Sequence, residues 1–125
     1  MDTALLDQVI QACTSQPLTD AVLGQVLVGQ ARADFCDAFS RRVAHEYAAG
    51  RLSFDVADAA VNRLYFYGFH GEGNVFPEYS WDVYLAFDDG EWHRPGDPDT
   101  TDPELKYTRP QIIEIVARDL YGQRT

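Results

Sequence analysis

The stretch Pro77-Glu78-Tyr79-Ser80-Trp81-Asp82-Val83-Tyr84-Leu85-Ala86-Phe87-Asp88-Asp89-Gly90 decides the fold class, because it carries two periodicities at once. Trp81, Val83, Leu85 and Phe87 alternate with Asp82, Tyr84, Ala86 and Asp88, the two-residue repeat of a strand. Asp89-Gly90 then reads as a hairpin turn into Glu91-Trp92-His93. The same residues fit a helix: Trp81, Tyr84, Leu85 and Asp88 share a face, Pro77 and Ser80 suit its start, and Gly90 suits a C-cap. A hairpin at 81–94 would need further strands to be stable, and no other segment reads as one. Helix is therefore the assignment, and with it an all-α fold. The α+β alternative rests on that hairpin alone.

Working upstream, Ser53 is placed to cap a helix running through Tyr67, with Asp55 and Asp58 near the positive end of its dipole. Ala57, Ala60, Val61, Leu64 and Gly68 form one stripe, and Phe54, Tyr65, Phe66 and Tyr67 add aromatics around the circumference. So apolar a helix is expected to be the one its neighbours pack against. The preceding segment, 31–49, carries Cys36, Phe39, Val43 and Tyr47 on one face. Asp34, Asp37, Arg41, Arg42 and Glu46 lie off it, and Asp37 and Arg41 are spaced for an ion pair. Gly50 is positioned as a left-handed C-cap, and so short a link to Ser53 makes the two helices a hairpin.

At the N-terminal end, Thr3 to Ser15 reads as a helix with Leu5, Leu6, Val9, Ile10 and Cys13 on one face. Pro17 ends it, and Thr19 can cap a short second helix weakened by Gly24 and Gly29. His70-Gly71-Glu72-Gly73-Asn74 reads as a loop. Beyond Gly90, Pro95, Pro98 and Pro103 stand among acids in an extended linker from about Glu91 to Tyr107. A capping box of Thr108 and Gln111 opens the final helix, which turns Ile112, Ile113, Val116, Ala117 and Leu120 inward and closes at Gly122. The expectation is a single compact helical domain over 1–125, with about five to six helices and a long acidic loop before the last.

The chain has 125 residues, 46% of them apolar and 13% aromatic, enough for a real core. Twenty acidic residues face ten basic ones, a formal charge of −10 that argues against nucleic acid and anionic membranes as partners. No apolar run is long enough to span a membrane, and Asp2 and Asp7 argue against a signal peptide. Cys13 and Cys36 lack the spacing of a zinc site or a disulfide framework and read as reduced core thiols. A cytoplasmic protein without metal or cofactor is expected.

Motifs for catalysis fail one by one. His45-Glu46 starts like a zinc-protease helix, but Ala49 stands where the second histidine is required, so His45 is expected to be a solvated helix residue. Asp97-Pro98-Asp99-Thr100-Thr101-Asp102 resembles a calcium loop. Its sixth position is Asp102 instead of Gly and its twelfth is Thr108 instead of Glu, which leaves at most weak cation binding. The glycines from Gly68 to Gly73 follow a helix, not the strand a phosphate loop needs. Asp88 and Asp89 sit at the negative end of their helix, an unfavourable place that calls for an arginine partner or a role.

The richest feature is regional. From Glu78 to Glu104 the chain holds nine acids against Arg94 alone, interleaved with Tyr79, Trp81, Tyr84 and Trp92, with Tyr107 just beyond. Aromatic anchors ringed by carboxylates suit a basic protein partner. The expectation is a non-enzymatic binding module, analogous in size and charge to an inhibitor or immunity protein, with Asp88, Asp89, Glu91, Trp92, Asp97, Asp99 and Asp102 as its contact residues. Two other readings are a ligand or enzyme pocket near His70, Trp81 and His93, and a homodimer or larger homo-oligomer built through Tyr65, Phe66 and Tyr67.

Overall fold

A computed structural model describes residues 3–24, 26–27, 31–69 and 76–122. Among these residues there are six α-helices and no strand: α1 Thr3–Ala12, α2 Asp20–Leu23, α3 Arg32–Ala48, α4 Phe54–Phe69, α5 Glu78–Asp88 and α6 Arg109–Gly122. A 3-10 turn, Asp89–Glu91, extends α5, and a wide π-type turn, Glu104–Thr108, runs directly into α6. The loop expected at 70–74, His70 included, lies outside the described residues.

The ambiguous stretch is helical for a reason visible in its burial. Val83, Ala86 and Phe87 are all fully buried, at the three- and four-residue spacing of one helix face. Leu85, which strand alternation would have placed with Val83 and Phe87, is 48% exposed. Phe87 sits between Tyr47, 5.1 Å away, and Phe54, 6.0 Å away by ring centroids, and so ties α5 to both helices of the preceding hairpin.

That hairpin forms as expected. Gly50 takes a φ of 79°, and the amides of Arg51 and Leu52 donate to the carbonyl of Glu46 at 2.9 and 3.3 Å. Ser53 Oγ accepts from the amide of Val56, and Ala57, Ala60, Val61, Leu64 and Gly68 are all buried. The packing centre is nonetheless α3. It contacts α1, α4, α5 and α6, whereas α4 contacts α1, α3 and α5. Phe35, Cys36, Phe39, Val43, Ala44 and Tyr47 bury two sides of α3, while Phe66 on α4 is 62% exposed.

The C-terminal third departs further from expectation. Helix resumes at Pro103, so the irregular segment is shorter than the linker read from the sequence. The carboxylate of Asp102 accepts from the amide of Glu104 and starts that turn. Thr108 is not an N-cap: it is completely buried and donates its hydroxyl to the carbonyl of Ala86 at 2.7 Å. Gln111 instead donates to Asp89 at 2.9 Å and to the carbonyl of Tyr107. Gly90 is buried and is not a left-handed cap; a Cβ there would lie 2.1 Å from Thr108 Oγ1 and 3.0 Å from the Phe54 ring. The close approach of this turn to the Glu104–Thr108 turn and to Phe54 of α4 requires its lack of a side chain. In α6 the buried residues are Ile112 and Ile115, whereas Ile113 and Leu120 point outward at 52% and 55% exposure. Ala117 and Val116 lie between these faces, half-buried.

Candidate functional site

The acids of this chain fall into two groups, those paired inside the fold and those left without a basic partner. Arg42 holds Asp7 through two bonds of 2.8 and 2.9 Å, Arg32 holds Asp20, and Arg51 holds Glu46. Glu104 accepts from the Tyr47 hydroxyl and pairs with Arg109. Asp119 joins His45 at 2.8 Å, the Tyr79 hydroxyl and Arg41, whose guanidinium lies over the Tyr79 ring. His45 is therefore a half-buried bonding partner and not a solvated residue. Arg41 serves α6 instead of Asp37, whose carboxylate accepts from the buried Ser80 hydroxyl at 3.0 Å.

Several residues singled out from the sequence belong to the paired group. Asp89 is bound by Arg94 at 3.1 Å and by Gln111, which meets the expectation of an arginine partner at the end of α5. Asp97 receives Lys106 at 2.6 Å on one oxygen and the Tyr107 hydroxyl on the other. These two bonds hold its carboxyl below the ordinary range, Lys106 contributing most. Both oxygens of Asp97 are thus engaged within the fold. Among the described residues no group of three or more His, Cys, Asp or Glu is arranged to hold a metal ion. Asp99 and Asp102 are exposed. Trp92 is 50% exposed, with the Arg94 guanidinium 4.1 Å from its ring and 3.8 Å from that of Tyr107.

Among the acids without an ion pair, Asp58, on the first half of α4, is bridged to Glu91 of the 3-10 turn through Asn62, with the charge of Asp88 at the end of α5 acting on it. Asn62, one turn beyond Asp58, donates its amide to both carboxylates, at 3.3 Å to Asp58 and 3.0 Å to Glu91. The shared amide brings the two carboxyls to the same place. Burial first, then the hydrogen bond and charge of Glu91 and the charge of Asp88, push the Asp58 carboxyl up to about 8. Asp88 is raised too, by burial and then by Glu91 and Asp89. Among the described residues no Lys, Arg or His forms an ion pair with Asp58, Asp88 or Glu91.

An aromatic wall bounds this cluster. Tyr84 is held above its usual range by burial and then by Asp88, with smaller contributions from Tyr65, Glu91 and Asp58, which places its ring beside the acids. Tyr65 stacks on Tyr84 with centroids 4.6 Å apart, and both meet Trp81 edge-on. Trp81 is thus packed within aromatics, His93 is exposed, and a cavity of about 480 Å³ lies elsewhere, against α2 and the end of α4. The sequence pointed to Asp88, Glu91 and Trp92 but missed Asp58 and Asn62. They were hidden because the dipole argument already explained Asp58 as an ordinary first-turn acid.

Both cysteines are buried and free, and burial pushes their thiols up to about 12 at Cys13 and about 11 at Cys36. No helix among the described residues is long and apolar enough to cross a membrane. Comparison with protein-family models, with curated proteins and with solved structures finds no match.

Proposed function

We propose that this chain binds a basic protein partner, and that the partner sets an arginine or lysine into the Asp58–Asp88–Glu91 cluster. The observation that supports this reading is convergence. Other acids without an ion pair, such as Asp34, Asp55, Asp99 and Glu114, stand apart on the surface. Asp58 and Glu91 instead share the Asn62 amide and repel one another and Asp88, with no ion pair to any of the three among the described residues. An incoming guanidinium would replace repulsion between carboxylates with charge-assisted hydrogen bonds and would find the Tyr84 face beside it. Trp92, half-exposed and next in the chain after Glu91, supplies an aromatic anchor at the edge. Asp99 and Asp102 lie outside the cluster and serve to steer the encounter.

Capture from the native host's lysate at low salt tests the reading when four proteins are compared as bait. The wild type and the Asp99→Asn/Asp102→Asn double variant should retain one stoichiometric basic protein. Asp88→Asn/Glu91→Gln and Trp92→Ala should lose it. Loss with the loop pair and retention with the cluster pair would move the contact to the loop and refute this assignment.

A second reading, a homodimer, is favoured by α6. Its outer face carries Ile113, Leu120 and Tyr121 at 52%, 55% and 65% exposure, beside a groove of about 340 Å³ that reaches Ala48. The exposed charges of that helix, Arg109 and Arg118 against Glu114, leave no acidic excess, so two acidic chains would meet where repulsion is least. Of the residues expected at a dimer interface, Tyr67 is buried within the monomer. A monomeric mass at micromolar concentration in sedimentation equilibrium would dispose of the homodimer.

A further inference from the structure

We propose that the cavity between the segment before α2 and the second half of α4 is a binding site for a small organic monoanion, a single carboxylate carried on an apolar body. The cavity has a volume of about 480 Å³, and Pro17, Leu18, Phe66 and Tyr67 supply its apolar walls while Arg63 and Arg32 supply its cationic groups. A largely apolar concavity with a few converging polar groups is the general form of a small-ligand site.

The two arginines play different parts. Arg32 is committed: it pairs with Asp20 at 3.1 Å and lies over the Tyr67 ring, 5.1 Å from its centroid. The Tyr67 hydroxyl donates to the other oxygen of Asp20 at 2.7 Å, so Asp20 fixes both the arginine and the ring along one wall. Arg63 has no carboxylate within ion-pair distance among the described residues, in a chain where acids outnumber bases two to one. Its Nε donates to the carbonyl of Cys13 at 3.2 Å. That bond anchors the guanidinium from behind and leaves the two terminal nitrogens of the fork for a planar carboxylate.

The charge around the cavity sets the class of ligand. With Arg32 neutralised by Asp20, Arg63 provides one net positive charge, and Asp20 itself lines the cavity. One negative charge is matched there, whereas a phosphate dianion would face Asp20. The Thr19 hydroxyl, which already accepts from the amide of Val22, keeps its proton for a second bond to the ligand.

The test uses three probes that share one aromatic body: phenylacetate, its neutral isostere phenylacetamide, and phenyl phosphate. Binding is followed by amide chemical shifts of the full chain at pH 7. Phenylacetate should give saturable shifts confined to residues 18–20, Arg32 and 63–67, with phenylacetamide at least about tenfold weaker and phenyl phosphate weaker than the carboxylate. Arg63→Met should lower phenylacetate affinity by about tenfold to a hundredfold, and Arg118→Met should leave it unchanged. Equal affinity for acid and amide would overturn the proposal, as would the absence of saturable shifts with phenylacetate. Tighter binding of the phosphate would overturn the one-charge limit. The comparison of acid with amide needs only the wild-type chain, so it stands even if the Arg63 variant does not fold.

Discussion

Replacing Asp58 with asparagine should stabilise this protein at alkaline pH and leave it unchanged in acid. Asparagine has the shape of the protonated carboxyl: its oxygen can accept from Asn62, and its amide can donate to Glu91. The wild-type carboxyl has an ordinary value of 3.8 and is raised to about 8 in the fold. Below about pH 4 folded and unfolded chains both hold the proton, and the group contributes nothing. Between about pH 4 and 8 the folded state keeps a proton that the unfolded state has lost, so stability falls as pH rises. Above about pH 8 the whole penalty is present. At about 1.4 kcal/mol per pH unit the full shift would exceed 5 kcal/mol. Asp58 is only partly buried and Glu91 can turn toward solvent, so screening reduces the expected penalty to about 2 kcal/mol. Urea unfolding of both proteins at pH 5 and pH 8.5 reads this directly. Part of that penalty is already present at pH 5, so the advantage of the Asp58→Asn variant should grow by up to about 1 kcal/mol across that interval, worth roughly 3–4 °C in Tm for a chain of this length. Parallel pH profiles would show that Asp58 ionises normally, and the acid cluster would lose its special character.

Four further outcomes follow from the geometry. Gly90→Ala drives a methyl into Thr108 and Phe54 and should cost about 1–3 kcal/mol in urea unfolding; a neutral result would mean that the turn at Gly90 is not held closely against Thr108 and Phe54. Thr108→Val keeps the shape but removes the hydroxyl bond to the Ala86 carbonyl, and should cost about 1–3 kcal/mol by the same assay. Gly50→Ala places a side chain at φ 79° and should lower stability by about 1–2 kcal/mol without shifting the helical circular dichroism. Native Cys13 and Cys36 should react with a thiol reagent at pH 8 only after denaturant is added, since burial keeps both protonated; rapid labelling of the folded chain would contradict their placement.

The legible parts of this fold were those where local chemistry and tertiary packing agree. Gly50 and Ser53 mark the α3–α4 hairpin whatever surrounds them, because a left-handed turn and a side-chain cap are local requirements. The choice of helix for α5 came from the lack of strand partners elsewhere, and Leu85 on the surface is its structural counterpart. Thr108 and Gln111 show the opposite case. They satisfy the pattern of a capping box, yet the preceding helical turn leaves no free helix end to cap, and both side chains reach across to the end of α5. Gly90 misled in the same way, since close approach and left-handed backbone both select glycine. For α6 the five apolar positions read as one inward face, but only a helix packed on both sides could bury so wide an arc. Ile113 and Leu120 are left outside.

At the candidate site, linear charge density was a poor guide to pairing. Asp97 looked like part of an acidic face, but Lys106 and Tyr107 fold back onto it from the next turn. Asp58 and Glu91 are far apart in the chain, and only the packing of α4 against the end of α5 brings both to the Asn62 amide. That convergence is a tertiary property, as is the placement of Arg63 with no carboxylate paired to it among the described residues, and neither leaves a motif.

The most direct test of the proposed function is calorimetric titration of the captured basic partner at pH 7, in buffers of low and high ionisation enthalpy. A cation entering the cluster lowers the raised carboxyl of Asp58 toward its ordinary range, so binding should release a measurable fraction of a proton. The Asp58→Asn variant should bind and release none. Identical apparent enthalpies in the two buffers for the wild type would place the partner away from Asp58, Asp88 and Glu91 and contradict the account.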